Sequence, residues 1–298
     1  MRNAFQVSLS TLLVATLLVA LGLTSYADDI VRIGVIADVH AHDADSPAEG
    51  KVMTNYGERL SVFVEAMNAW PAETVVELGD LVNGNFILGA LGDAARIPGI
   101  LEDAMGYLDP LDCPLVHVIG NHDVYDLDKA TYLEILGEQT TYYSFDLGAF
   151  HFVVLDVQFE TTGEPLAHTF WRVLGTVPEF ELHWLREDLA ARDRPTVVLV
   201  HQPIDSELDT LAGGPPISNN HEVQALLEEA GNVIAVFQGH DHENRYAEIN
   251  GIHYVTFVEF TDHVGGSPVS FAYVQLDATA RTITIDGVGL QESWQLTY

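Results

Sequence analysis

Beyond residue 28 the chain alternates short, nearly continuous apolar runs with longer amphipathic stretches, and each run ends in a polar cluster. Apolar runs bounded by turn residues read as buried strands, and apolar residues at helical spacing read as one face of a helix. On that basis Ile30–Ala37 is a first strand, and a helix over Tyr56–Ala69 stops before Pro71. Thr74–Leu78 is a second strand, Ala94–Leu108 is mostly helical, and Leu115–Ile119 is a third strand. Tyr142–Leu147 and Phe150–Asp156, split by Gly148, form a hairpin. Pro178 opens a helix with Leu182, Leu185 and Leu189 on one face, followed by a short buried strand at Thr196–Val200. Val223, Leu226, Leu227 and Ala230 stripe the next helix, with Asn220 as its N-cap and Gly231 as its stop. Val233–Phe237 is again apolar, and Asn250-Gly251 marks a hairpin turn between Arg245–Ile249 and Ile252–Phe257. Ser270–Leu276 and Thr282–Asp286 close the chain as strands. Early crossovers followed by late hairpins imply an α/β fold of mixed sheets covered by helices on the outside.

Residues 1–27 read as an export signal: Arg2, an apolar run from Leu12 to Leu23, then Ser25-Tyr26-Ala27 as a cleavage site before Asp28. Uncleaved, the segment is marginal as a membrane anchor, because Gln6, Ser8 and Ser10 interrupt it. The expectation is a secreted or periplasmic protein, cut after Ala27, with residues 28–298 as one domain. Cys113 is the only cysteine, so no internal disulfide stabilises that domain. Twelve basic residues against 44 acidic ones give a formal charge of −32, which excludes a nucleic-acid polymer as partner. Lysine is nearly absent (Lys51 and Lys129), a balance suited to a saline environment.

The chemistry lies in the polar clusters. Asp38-Val39-His40 follows the first strand, Gly79-Asp80 the second, and Gly120-Asn121-His122-Asp123 the third. His201-Gln202-Pro203 follows Thr196–Val200, and Gly239-His240-Asp241-His242 follows Val233–Phe237. In open α/β sheets ligands gather beyond the carboxyl ends of the strands, where these clusters fall. Residues at i and i+2 of an extended segment point to the same side, so Asp38 with His40, and His240 with His242, can each present two atoms to one place. The glycines at 79, 120 and 239 let the backbone pass close to whatever is bound. Carboxylate, amide and imidazole without thiolate suit Mn, Fe or Zn. Seven such side chains, one a shared carboxylate, fit two divalent metal ions. Four positive charges against Asp38 and Asp80 leave the site locally positive inside an acidic protein, a place for phosphate.

This ordered series from Asp38 to His242 resembles that of the calcineurin-like metallophosphoesterase superfamily. The resemblance implies a four-layer αββα sandwich with a binuclear centre at one end, whose bridging hydroxide attacks phosphorus in small phosphorylated substrates. It implies that Asp38, His40 and His242 hold one metal, that Asn121, His201 and His240 hold the other, and that Asp80 bridges them. It further implies that His122 contacts the phosphate and helps the leaving oxygen depart, with Asp123 orienting His122. Thr141–Asp146, Phe150–Asp156 and the stretch through Tyr246 and Ile252-His253-Tyr254 are similar to the manganese-dependent ADP-ribose/CDP-alcohol diphosphatase group. The departure is at His40, where that group carries glutamine. Asn83 and Gly84 replace the tyrosine of purple acid phosphatases and the arginine of Ser/Thr phosphatases.

The alternatives are an exported phosphomonoesterase, a cyclic-nucleotide or glycerophosphodiester phosphodiesterase, a non-catalytic binding scaffold of this fold, and a cell-envelope protein with incidental metal. Asn85 and Phe86, just past the Asp80 loop, and Gly213-Gly214-Pro215-Pro216 are candidates for lining the pocket, Asn85 as a substrate-binding residue. His117, His151, His168, His183, His221, His253 and His263 have no partners at ligand spacing and read as structural. His42, Asp43 and Asp45 read as a solvated acidic loop, and Asp241 as loop filler facing away from its neighbours.

Overall fold

A computed structural model of the chain describes residues 29–47, 50–84, 94–167, 175–205, 217–263 and 265–298. The export segment expected at residues 1–27 lies outside them, as do Asn85, Phe86, His168 and residues 213–216. Two six-stranded mixed sheets face each other. In chain order the strands are β1 (Ile30–Ile36), β2 (Lys51–Val52), β3 (Thr74–Glu77), β4 (Leu115–His117), β5 (Tyr143–Leu147), β6 (Phe150–Val154) and β7 (Thr196–Leu199). They continue with β8 (Val233–Gln238), β9 (Arg245–Ile249), β10 (Ile252–Thr256), β11 (Asp262–His263), β12 (Phe271–Asp277), β13 (Thr282–Val288) and β14 (Trp294–Thr297). The first sheet runs β14-β13-β12-β1-β3-β4, with β1, β3 and β4 parallel. The second runs β5-β6-β7-β8-β10-β9, with β6, β7, β8 and β10 parallel. A two-residue ribbon, β2 with β11, stands apart.

Strand alternation sorts the apolar residues into three layers. Val31, Ile33 and Val35 of β1 face inward against Phe150, Phe152, Val197, Leu199 and Phe237 of the second sheet, all buried. On the outer face of the first sheet lie α1 (Tyr56–Ala69) and α2 (Ile97–Leu108), through Leu60, Phe63, Met67, Ile97, Leu101 and Ala104. A Cβ on Gly34 of β1 would lie 2.1 Å from Met67 Sδ, so the missing side chain is what lets α1 seat on the sheet. On the outer face of the second sheet α4 (Glu179–Ala190) buries Leu182, Leu185 and Leu189, and α5 (Asn220–Ala230) buries Val223 and Leu227. The order of layers is helix, sheet, sheet, helix, the αββα arrangement expected.

The punctuation of the elements has local causes. Trp70 ends α1 in an extended conformation (φ −98°, ψ 136°), as the residue before a proline must. Asn250 and Gly251, both with positive φ, make the tight turn between β9 and β10. The cap of α5 differs from expectation: Asn220 is the first helical residue and Asn219 holds the cap position. The Asn219 side chain caps nothing; it accepts hydrogen bonds from Thr176 Oγ1 and Val177 N–H instead. A helix the hydrophobic pattern did not announce, α3 (Lys129–Leu136), buries only Tyr132.

Candidate metal centre

Strand register brings the polar clusters to one level. Pairing of β1 with β3 runs from Ile33↔Thr74 to Ile36↔Glu77 and continues past the strands, with the N–H of Asp38 donating to Gly79 C=O and that of His40 to Asp80 C=O. Pairing of β3 with β4 ends at Glu77↔His117, and three residues further on Asp80 meets Gly120. In the second sheet β7 pairs with β8, and beyond their ends the N–H of Gly239 donates to His201 C=O. A one-residue slip in any of these pairings would turn its ligand away from the others.

The expectation of extended segments at Asp38–His40 and His240–His242 is not how the atoms meet. Asp38 (φ 57°), His40 (φ 50°), Asp80 (φ 58°), His240 (φ 71°) and His242 (φ 57°) are all left-handed. Each such residue costs roughly 1–2 kcal/mol relative to the right-handed region, and strain of this kind collects at functional sites. Buried hydrogen bonds hold it. The Asp38 carboxylate accepts from the His240 N–H (3.0 Å), and Asp80 Oδ1 accepts from the His122 N–H (2.7 Å). Space for the ligand atoms comes from glycine: a Cβ at Gly120 would stand 2.2 Å from Asp80 Oδ1, and one at Gly239 2.7 Å from Asp38 Oδ2.

The structure brings all seven candidate ligands together. His242 Nε2 lies 3.3 Å from Asp38 Oδ1 and 3.1 Å from His40 Nε2. His201 Nε2 lies 3.1 Å from Asp80 Oδ2, 3.1 Å from Asn121 Oδ1 and 3.3 Å from His240 Nδ1. Asp80 Oδ2 stands between the groups, 3.9 Å from His40 Nε2 and 4.0 Å from His122 Nε2. Asp38, His40 and His242 form one cluster able to hold an ion, and Asp80, His201 and His240 a second.

Hydrogen bonding tests whether cations fit. His201 Nδ1 faces the Leu78 carbonyl (2.8 Å), which can only accept, so Nδ1 carries a proton and, in the neutral ring, Nε2 the lone pair. His40 Nδ1 faces Asn83 Oδ1 (2.9 Å), giving the same tautomer, and His242 Nδ1 lies 2.9 Å from a Glu259 oxygen. Asn121 donates its amide to Tyr125 OH, which turns its oxygen inward. With the rings neutral, lone pairs would meet lone pairs and carboxylates at about 3 Å, which is repulsive unless protons or metal ions lie among them. The imidazoles report the same demand. Burial lowers His201, but Asp80 and Asp38 overcome it and raise the group to about 10. Burial and Lys51 oppose a proton on His242, yet Glu259 and Asp38 raise it to about 9. His40 and His240 are held well below the usual histidine range by burial. The residues fit a pair of divalent ions.

His122 is buried, its ring edge-on to His40 at 4.6 Å, and burial lowers it to about 3, so it is neutral near pH 7. The role expected for Asp123 needs correction. Its carboxylate accepts from the backbone N–H groups of Asp80 (3.0 Å), Gly120 (2.8 Å) and Val82 (3.1 Å), while His122 Nδ1 has no partner among the described residues. Asp123 ties two ligand loops together and does not orient the imidazole. Two further expectations fail on burial. His42 is not solvated but 1 % exposed. Asp241 is no filler: buried, it pairs with Arg245, which also pairs with Asp205. Asn83 and Glu259, each behind a histidine, were missed because a lone polar residue outside the clusters gives no spacing signal.

Residues 31–244 match the family described as calcineurin-like phosphoesterase. A rice protein (Oryza sativa subsp. japonica) named manganese-dependent ADP-ribose/CDP-alcohol diphosphatase is 24% identical over 78% of this chain and 84% of its own. The glycerophosphodiester phosphodiesterase GpdQ of Enterobacter lignolyticus is 26% identical over 68% of this chain and 70% of its own. Among solved structures, a dimetal phosphatase from Danio rerio shares the fold with a TM-score of 0.71 and 21% identity, over 90% of this chain and 99% of the other. The family match spans every ligand loop described above, from the strand before Asp38 to just past His242, and the chain belongs to the calcineurin-like phosphoesterase family.

Proposed function

We propose that the chain is a manganese-dependent hydrolase of the phosphoanhydride bond in small nucleotide-type diphosphates. Asp38, His40 and His242 would hold one ion, Asn121, His201 and His240 the other, with the Asp80 carboxylate shared between them. One observation carries the reading: a single carboxylate oxygen within 4 Å of histidines from both clusters. Bound there, two divalent ions would lower the pKa of a water molecule to about 7 and polarise phosphoryl oxygens. The protein's part is orientation. Leu78 C=O, Asn83 and Glu259 fix three imidazoles, and the Asp80 carboxylate is pinned by the His122 N–H. His122, neutral and beside Asp80, touches the phosphate and steadies the leaving oxygen. The names of the rice relative and its counterparts support the diphosphate substrate and the metal. A second reading, a phosphodiesterase, is supported by the GpdQ relative and by His40 standing where the diphosphatase group carries glutamine. We also propose that residues 1–27 direct export, on the strength of the Arg2, apolar and Ser25-Tyr26-Ala27 sequence, and that residues 28–298 act as one domain. Among the described residues no helix is long and apolar enough to cross a membrane.

The test is metal-stripped protein resupplied with Mn, Fe or Zn and offered ADP-ribose, CDP-choline, bis(4-nitrophenyl) phosphate and 4-nitrophenyl phosphate. The expected result is two ions per chain and a kcat/KM for the diphosphates at least about tenfold above the monoester. Preference for the single-phosphate diester favours the second reading; no turnover with two ions bound overturns both.

A further inference from the structure

We propose that Lys51 forms a second phosphate position beside the metal centre, binding the neighbouring phosphate of a diphosphate while the first is attacked. The inference rests on the diphosphatase reading above. Lys51 is one of two lysines in a chain with a formal charge of −32, and it is 7 % exposed. Lysine is rarely withdrawn from water unless its charge is used.

Its place in the fold is defined on both sides. Ser46, in the segment that continues from His40, exchanges both backbone hydrogen bonds with Lys51 (2.9 and 3.0 Å). On the other side Lys51 pairs with His263 in the ribbon of β2 and β11. Directly opposed residues carry their side chains on one face, so Lys51 shares a face with His263. His263 Nε2 lies 2.6 Å from one Glu259 oxygen, and the other Glu259 oxygen lies 2.9 Å from His242 Nδ1. Lys51 therefore flanks the Asp38–His40–His242 cluster.

The chemistry needs such a group. A nucleotide diphosphate diester carries a negative charge on each phosphate, and only one of them sits over the ions. Nearby arginines are committed elsewhere: Arg245 to Asp205 and Asp241, and Arg59 to the carbonyls of Phe260, Ser267 and Pro268. Lys51 is engaged within the fold too, but an ammonium has three donors, so a protein contact leaves capacity for a phosphoryl oxygen. A substrate with a single phosphate places nothing at this position, which makes Lys51 a discriminator between diphosphates and simple diesters.

The experiment compares wild type, Lys51→Met and Lys51→Arg, all manganese-loaded and full length, on CDP-choline and on bis(4-nitrophenyl) phosphate. Loss of a charged contact is expected to raise KM for CDP-choline about tenfold or more, with a clearly smaller change for the single-phosphate diester. Lys51→Arg recovers most of the affinity, and both variants keep two ions per chain. Equal losses on the two substrates, or none, overturn the proposal. If Lys51→Met does not fold, Lys51→Gln gives the same comparison. A wild type that cleaves the diester but neither CDP-choline nor ADP-ribose fails the diphosphatase reading and this inference with it. A wild type that cleaves both, with an indifferent variant, fails Lys51 alone.

Discussion

Replacing Gly120 by alanine adds one methyl carbon at 2.2 Å from Asp80 Oδ1, 2.3 Å from the Asp80 nitrogen and 2.8 Å from its Cγ. Contacts under 3.0 Å are not sustained by real side chains, so the closest atom must retreat by about 0.8 Å (3.0 − 2.2). The backbone of Gly120 does not have positive φ, so alanine is conformationally acceptable there and the whole effect is contact. Asp80 cannot give way freely, because its N–H donates to Asp123 and its carbonyl accepts from the His40 N–H. Metal ligands tolerate displacements of about 0.2 Å, and a shift several times larger at Oδ1 turns the whole Asp80 carboxylate, carrying Oδ2, the oxygen near both clusters, out of place. The expected outcome for Gly120→Ala is fewer than two manganese ions per chain after dialysis, by mass spectrometry. With it comes a loss of about 100-fold in kcat/KM on bis(4-nitrophenyl) phosphate. Crowding of this kind also destabilises by about 1–3 kcal/mol. Gly106→Ala is the control: a Cβ there meets nothing within 4 Å on α2, and the change should stabilise by about 0.5–1 kcal/mol without affecting turnover. A Gly120→Ala protein that keeps both ions and turns over within about threefold of wild type refutes the reasoning.

Asp123→Ala removes the acceptor of three buried N–H groups, those of Asp80, Val82 and Gly120. Each orphaned donor costs about 1–3 kcal/mol, so urea unfolding should show a loss of at least about 3 kcal/mol; a change under about 1 kcal/mol would contradict the role assigned to it. In metal-free protein His201 (about 10) and His242 (about 9) hold protons more tightly than an unfolded histidine at 6.5. Because their folded pKa is raised, the stability they contribute is fully present below pH 6.5 and is lost as pH rises through 9 and 10. Denaturation midpoints in EDTA should fall across that window, and a flat profile would count against the charges described. Manganese must displace those protons, so calorimetry in two buffers at pH 7.5 should detect net proton release on binding; heat independent of the buffer would be the contrary result.

Much of this centre was legible because each ligand cluster closes a buried parallel strand, and such strands write themselves as unbroken apolar runs. Gly79-Asp80 stands out because Thr74–Leu78 is apolar before it; Asn250-Gly251 stands out because few residues tolerate its backbone. What the pattern hid depends on the third dimension. Glu259 reaches His242 only because β10 lies beside β8, and nothing in its neighbours announces that contact. The left-handed conformations of five ligands are set by cross-loop hydrogen bonds, which no local propensity encodes. The α3 helix escaped because a segment burying one tyrosine has no stripe, although Asp128, which accepts from the Thr131 N–H, and Gly137, with φ 72°, mark its two ends. His42 and Asp241 misled for the reverse reason: charge near a site reads as solvation until a fold closes over it.

The provenance of the seven inward-facing side chains matters for more than turnover. Asp38, His40, Asp80 and Asn121 stand on loops of the first sheet, whereas His201, His240 and His242 stand on loops of the second. The His201–Leu78 hydrogen bond and the grip of Asp38 on the His240 amide already bridge that seam. Cations lodged in the same gap would act as rivets through both plates of the sandwich. Chelation would then unfasten one rim of the molecule, making endurance and metal supply a single property.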